Sequence, residues 1–181
     1  MSVEVTEGGS GDLGALSLID RSEEVRLAYR VVAGRLEPYP VEWTIPPWDA
    51  VGTGEHSVAI RAGFLMSVVE RGGRVLTARL GGDVAGVAVV EAGFEPDLAW
   101  LTFLHVGRPF RRRGAASALW DAAAALAADA GASRVYVSAT PTESAVGFYL
   151  SRGCVLADPP HPGLFDLEPE DVHLVAPLLR S

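Results

Sequence analysis

A strand, turn and helix junction near residue 110 limits the fold of this chain more than any other feature. An apolar run over residues 101–106 leads into a turn that contains Arg108, Arg111, Arg112 and Arg113, and an Ala- and Leu-rich helical pattern follows over residues 114–130. A helix start has unpaired backbone N–H groups and a partial positive charge, so it attracts anions. Nearby arginines add charge-assisted donors. We interpret the junction as a phosphate cradle.

Composition limits the class of protein. The 181 residues suit one domain, and the net charge of −8 argues against general nucleic-acid binding. No apolar run is long enough to span a bilayer, so we expect a cytoplasmic protein without a membrane partner. Cys154 is the sole cysteine, and we expect no metal. The acidic, Gly-rich residues 1–14 are predicted to form a disordered tail before a single domain over residues 15–181.

Hydrophobic periodicity predicts an α/β sandwich on a mixed sheet. Residues 15–20 are predicted as a strand, and Ser22 as the cap of a helix that ends at Gly34. Four prolines predict an ordered loop over residues 35–53. A helix is predicted next, over 54–70, followed by antiparallel strands over 74–80, 84–91 and 99–106 and the helix over 114–130. The predicted elements after it are a strand over 133–138, a helix from a capping box at 140–143 to Arg152, and a strand over 154–157. A proline loop and a last strand over 171–178 end the chain.

Two motifs on these elements resemble the GNAT superfamily of acyl-CoA-dependent N-acetyltransferases. The pyrophosphate-loop pattern Arg/Gln-x-x-Gly-x-Gly/Ala appears at residues 111–116, five residues after Val106. The pattern Ala-x-x-Phe-Tyr appears at residues 145–149, with a glycine at 153. Two positions depart from the family pattern, because Thr142 replaces a common Asn and Cys154 replaces Phe after the glycine. The resemblance covers residues 74–157.

The resemblance implies a mainly antiparallel central sheet with one splayed parallel pair, flanked by helices. Residues 74–157 would form the core that binds acetyl-CoA, and residues 15–73 the acceptor region. Backbone N–H groups from Arg112 to Ala116 would hold the pyrophosphate, and one near Val106 would polarise the thioester carbonyl. The residues implied in cofactor binding are Leu104, His105, Val106, Arg111, Arg112, Arg113, Gly114, Ala115, Ala116, Thr142 and Tyr149.

Catalytic groups are expected around the same strand. The resemblance implies that Tyr149 is the general acid that assists the departure of the coenzyme A thiolate. Candidates for the base are His105, Glu91, and Glu95 or Asp97 in the next turn, with ordered water as a further alternative. An unperturbed histidine has a pKa of about 6.5, which suits this role.

Aromatic and acidic residues before residue 57 are the chief candidates for acceptor binding: Trp43, Trp48, Asp49, Glu55 and His56. Residues after Asp158 are a further candidate region. Aromatic rings beside carboxylates suit a small cationic amine. An alternative is that both tryptophans only fix the loop to the core. A homodimer is also left open.

Three functions fit these observations. The first is acetyl transfer to a primary amine by direct attack in a ternary complex. The second is an inactive coenzyme A-binding sensor or scaffold on the same fold. The third, a nucleotide-binding module, is disfavoured, because the strands before the turn are antiparallel and Gly-x-Gly-x-x-Gly is absent.

Overall fold

A mixed seven-stranded sheet lies at the centre of the computed structural model, which describes residues 2–178. Its strand order is β1-β4-β5-β6-β7-β9-β8, and β6–β7 is the one parallel pair among the described residues. The strands are β1 Val3–Gly8, β2 Glu23–Val32, β3 Arg35–Ile45, β4 Arg74–Leu80, β5 Asp83–Glu95, β6 Leu98–Val106, β7 Arg134–Ala139, β8 Val155–Leu156 and β9 Val172–Pro177. The α-helices are α1 Val58–Glu70, α2 Ala115–Asp129, α3 Glu143–Ser151 and α4 Pro162–Leu167.

The two faces of the sheet carry different helices. Strand β5 alternates over residues 87–90, so Ala88 and Val90 face a core built with α2 and α3, whereas Val87 and Val89 face a core built with α1 and a 3-10 helix over Ser10–Leu18. No helix within residues 2–178 has the length and apolar character needed to cross a membrane.

The predicted disordered tail over residues 1–14 is wrong for the described residues. Strand β1 pairs antiparallel with β4, and the Ser10–Leu18 helix follows it. The reason is the alternation of Val3 and Val5 with polar residues, which places both valines against the core in an otherwise acidic segment. The strand predicted over 15–20 is also wrong, because Leu13 and Leu16 are buried by the 3-10 helix.

A two-stranded antiparallel hairpin, β2–β3, replaces the helix predicted from Ser22 to Gly34 and the loop predicted after it. Ala33 and Gly34 both have positive φ, as a tight hairpin turn requires. The two prolines at positions 38 and 40 are tolerated in β3, because β3 is an edge strand that pairs with β2 on one side.

The remaining elements agree with the sequence to within a few residues. The exceptions are α4, which was not expected in the proline loop, and the start of α3. Thr142, not Thr140, caps α3, and its hydroxyl oxygen accepts from the Ala145 N–H at 3.2 Å. The predicted domain included residues 179–181, which lie outside the described residues. The predicted mixed sheet with a parallel pair is confirmed.

Candidate active site

The parallel strands β6 and β7 separate part-way along their length. They pair from Leu98 to Leu101 on β6, after which β6 follows β5 to Val106 and β7 continues along β9 alone. The register of β6 against β5 shifts between Leu101 and Phe103, so Thr102 is an extra residue at the point of separation. The result is a cavity of about 1350 Å³ between the strands.

Strand β6 presents backbone N–H groups to this cavity. The Gly107 N–H donates to the Ala85 carbonyl at 2.9 Å, so it points toward β5. Because backbone groups alternate in direction along a strand, the N–H groups of Val106 and Leu104 point away from β5, into the opening. The predicted splay beside Leu104, His105 and Val106 is therefore present.

The arginine turn ends at Gly114, where α2 begins. Gly114 has φ +88, a left-handed conformation that suits glycine, and the first hydrogen bond of α2 is donated by the Ala118 N–H to the Gly114 carbonyl. The N–H groups of Ala115, Ala116 and Ser117 therefore have no intrahelical acceptor. All three residues line the cavity, as sequence analysis predicts for the first two.

The arginine side chains have separate roles. The Arg111 guanidinium lies 3.3 Å from the Glu23 carboxylate and donates to the carbonyls of Arg21 and Val106, so it joins β2 to β6 rather than remaining free for a phosphate. Arg112 lines the cavity. Arg113 packs over the Phe110 ring, 5.9 Å from its centre, and is not among the residues that line the cavity.

Tyr149 is buried in the wall of the cavity, with its ring edge-on to Trp120 at 5.8 Å. Burial raises the pKa of Tyr149, and the neighbouring Cys154, Asp171 and Glu168 raise it further, so the phenol keeps its proton at neutral pH. Thr142 also lines the cavity, with its hydroxyl engaged at the start of α3 and 3.1 Å from the Ser144 hydroxyl.

Of the predicted bases, the structure brings only His105 to the cavity. Its ring stacks on Phe103 with centroids 4.6 Å apart. Burial lowers the pKa of His105 to about 3, aided by the charges of Arg21, Arg61 and Arg111, so the imidazole is neutral.

Three carboxylates predicted as alternative bases lie elsewhere. Both oxygens of Glu91 accept from Arg71, at 3.1 and 3.4 Å, in the closed part of the sheet. Glu95 lies 2.9 Å from the His161 ring, and Asp97 lies 3.5 Å from Arg134. The expectation that Glu91 adjoins the reaction centre is therefore wrong.

Comparison with known proteins identifies the family. The model of the acetyltransferase (GNAT) family matches residues 30–154, more than half of the chain. The chain belongs to the GNAT acetyltransferase family. A search of curated protein sequences finds no match to it.

Solved GNAT structures share the fold at low sequence identity. Nourseothricin acetyltransferase superposes with a TM-score of 0.72 at 19% identity, over 99% of this chain and 100% of that one. A putative streptothricin acetyltransferase from Bacillus anthracis, in complex with acetyl coenzyme A, gives 0.70 at 16% identity over 100% of both chains. PaiA N-acetyltransferase from Thermoplasma acidophilum, in complex with coenzyme A, gives 0.62 at 14% identity over 98% and 99%.

Three of the five predicted acceptor residues of this GNAT protein line the cavity, and two lie outside it. Trp48, Glu55 and His56 line the cavity. Trp43 lies on β3 against Tyr39, and Asp49 accepts from the N–H groups of residues 51 and 52 in a turn, so neither is in the cavity wall.

Several charged residues of the cavity wall were not singled out from the sequence, among them Arg21, Arg61, Glu168 and Asp171, although residues after Asp158 were expected to contribute. Burial raises the pKa of Asp171 to about 7, and nearby Glu168 raises it further against the opposing charge of Arg61. The one available signal was the acidic run at 168–171 before the last strand. No group of three or more metal-ligating side chains occurs within residues 2–178.

Proposed function

We propose that this protein transfers an acetyl group from acetyl-CoA to the primary amine of a small molecule by direct attack in a ternary complex. The observation that best supports this proposal is that three groups line one cavity: the Val106 N–H, the start of α2 and the buried phenol of Tyr149. Family membership and the likeness to named N-acetyltransferases support the proposal.

The cavity suits acetyl-CoA, which supplies a thioester on an extended arm and a diphosphate. The N–H groups of Ala115, Ala116 and Ser117 would hold the diphosphate, with the positive end of α2 behind them. The open edge of β6 would pair with the extended arm. Within the described residues the Thr102 hydroxyl is buried without a hydrogen-bond partner at the start of this edge, as expected where a ligand completes the site.

Each chemical step has a group in the cavity. The amine nitrogen forms a bond to the acetyl carbon as the carbon–sulfur bond breaks, and the sulfur leaves with the electron pair. The Val106 N–H would donate to the carbonyl oxygen as negative charge develops there. The Tyr149 hydroxyl would donate its proton to the departing sulfur.

The amine proton requires an acceptor, and we assign this role to Asp171. A base is most effective when its pKa lies near the working pH, and the pKa of Asp171 is about 7. His105, one of the candidate bases from the sequence, binds a proton weakly at a pKa of about 3. Asp171 is close enough to Tyr149 to raise the pKa of the phenol, so the two groups serve one reaction centre.

The test is release of the coenzyme A thiol from acetyl-CoA in the presence of a panel of amines, with mass spectrometry of the products. We expect thiol release that depends on the amine and on the enzyme, with one acetyl group added to the acceptor nitrogen. Tight binding of coenzyme A without acetylation of any amine would instead support the sensor or scaffold function.

A further inference from the structure

The wall of the cavity around His105 is positively charged. The Arg21 guanidinium lies 4.4 Å from the centre of the Trp48 ring, which lies 5.9 Å from the His105 ring. Arg61 projects from α1 to the same wall, and its charge lowers the pKa values of both Arg21 and His105. Three arginine charges act on His105, those of Arg21, Arg61 and Arg111, and Glu55 in the same cavity acts on Arg21.

Among the described residues neither arginine forms an ion pair, although Glu55 acts on Arg21 and the charge of Arg61 acts on Glu168 and Asp171. In the part of the chain that the structure describes, neither Arg21 nor Arg61 has a carboxylate oxygen within 4.0 Å, whereas Arg111 is paired with Glu23. The Arg21 Nε atom is also buried without a hydrogen-bond acceptor in those residues. A buried donor without an acceptor destabilises the site, and because the donor belongs to a charged guanidinium group, an external anion would complete this wall most favourably.

The wall around Tyr149 has the opposite character. Glu168 and Asp171 follow α4 and line the cavity beside Tyr149. Burial raises the pKa of both carboxyl groups, and each lies within the field of Arg61. Guanidinium groups therefore act on the cavity at His105, and the carboxyl groups of Glu168 and Asp171 act on it at Tyr149.

The positive wall belongs to the acceptor half of the cavity. Arg61 is carried by α1, which packs on the face of the sheet opposite α2, where the diphosphate would bind. A diphosphate at the start of α2 would therefore not occupy the wall formed by Arg21 and Arg61.

We propose that the acceptor is zwitterionic: an amino-acid-like molecule whose carboxylate binds Arg21 and Arg61 while its amine points to Tyr149 and Asp171. A planar carboxylate matches the donors of a guanidinium in pairs, which favours it over a compact anion. The inference rests on the proposed function, because it names the acceptor of the same site. It replaces a purely cationic amine with one that also carries an anion.

The test compares acceptors that differ in one group: the standard amino acids, the amines made by removing their carboxylates, and their carboxamides. Thiol release is measured for the wild type, Arg21→Gln, Arg61→Gln and the matched control Arg35→Gln, whose side chain is exposed outside the cavity. We expect wild-type kcat/KM for the best amino acid to exceed that of its decarboxylated amine. Each cavity variant should lower this ratio by about tenfold to a hundredfold, as loss of a charged hydrogen bond predicts.

Two results would overturn the inference: equal kcat/KM for an amino acid and its decarboxylated amine, or equal losses for both in Arg21→Gln and Arg61→Gln. Thermal unfolding checks that each variant is folded. If no amine is acetylated although coenzyme A binds, the proposed function fails. Calorimetry of amino-acid binding to the coenzyme A complex then tests the inference. Binding that Arg21→Gln weakens at least tenfold would support it, and absence of binding would contradict it.

Discussion

Two buried tyrosines allow a direct test of the general-acid role. The Tyr136 hydroxyl accepts from the His161 N–H at 3.0 Å and lies 2.9 Å from His173 Nδ1. The Tyr149 hydroxyl makes no hydrogen bond to another described residue. Substitution by phenylalanine removes one oxygen from each, so Tyr149→Phe and Tyr136→Phe are chemically matched changes in different surroundings.

The structure predicts opposite effects of the two substitutions. Tyr149→Phe retains the edge-on contact with Trp120 and should change the free energy of unfolding by less than about 0.5 kcal/mol. It should lower kcat by roughly 10²–10⁴-fold, the usual contribution of a positioned acid. Tyr136→Phe leaves two buried polar groups without their partner and should cost about 1–3 kcal/mol of stability. Its kcat should stay within about twofold, since Tyr136 is outside the cavity wall.

The assay combines urea unfolding with thiol-release kinetics, and calorimetry measures acetyl-CoA affinity. We expect the affinity of Tyr149→Phe to remain within about threefold of the wild type, because the hydroxyl is assigned to proton donation rather than binding. Full turnover by Tyr149→Phe would refute the assignment. A fall in kcat for Tyr136→Phe as large as for Tyr149→Phe would show that the effect is not specific to the cavity.

Three further predictions follow from the geometry. Gly114→Val places a branched side chain at φ +88 and costs at least about 1–2 kcal/mol of local conformational free energy. It should weaken acetyl-CoA binding, measured by calorimetry, at least tenfold. Unchanged affinity would contradict the role of this turn as a phosphate cradle. The raised pKa of Asp171 means that the folded state retains a proton that the unfolded chain releases, so stability should fall as pH rises from about 4 to 7. Urea unfolding across this range should show a smaller fall for Asp171→Asn, and an unchanged pH profile would contradict the pKa. Arg111→Met breaks the part-buried pair with Glu23 and should lower stability by about 1–3 kcal/mol in the same assay, whereas a change below about 0.5 kcal/mol would argue against its joining β2 to β6.

The donor half of the site could be predicted because its signals are local. Alternating apolar residues set the strands over 74–106, a glycine marks the start of α2, and the motif at 145–149 places Tyr149 in the wall. Each of these depends on neighbours in the chain, so the sequence carries enough information to recover it.

The acceptor half could not be predicted in the same way. Val25, Ala28 and Val31 have the spacing of a helix, yet the segment forms a strand because it pairs with β3. The hydrophobic periodicity of a segment does not reveal which other segment will pair with it. The partner of Arg111 lies 88 residues earlier in the chain, so its ion pair is a consequence of tertiary structure. The grouping of Arg21 with Arg61 arises in the same way.

The position of Glu91 outside the cavity shows one geometric detail that cannot be read from the sequence. Glu91 lies on β5 opposite Trp100, in the part of the sheet that stays closed, whereas the opening begins beyond Leu101. Strand assignment alone does not say at which residue two strands separate. That position depends on the register shift around Thr102.

The most direct test of the central claim is amide NMR of the protein during titration with coenzyme A. We predict the largest shifts at the N–H groups of Leu104 and Val106 and at those of Ala115, Ala116 and Ser117, with little change at Asp83 in the distant hairpin turn. Saturable shifts at both groups would place the cofactor in the opening between β6 and β7. Shifts confined to other residues, or none at saturating coenzyme A, would contradict the account.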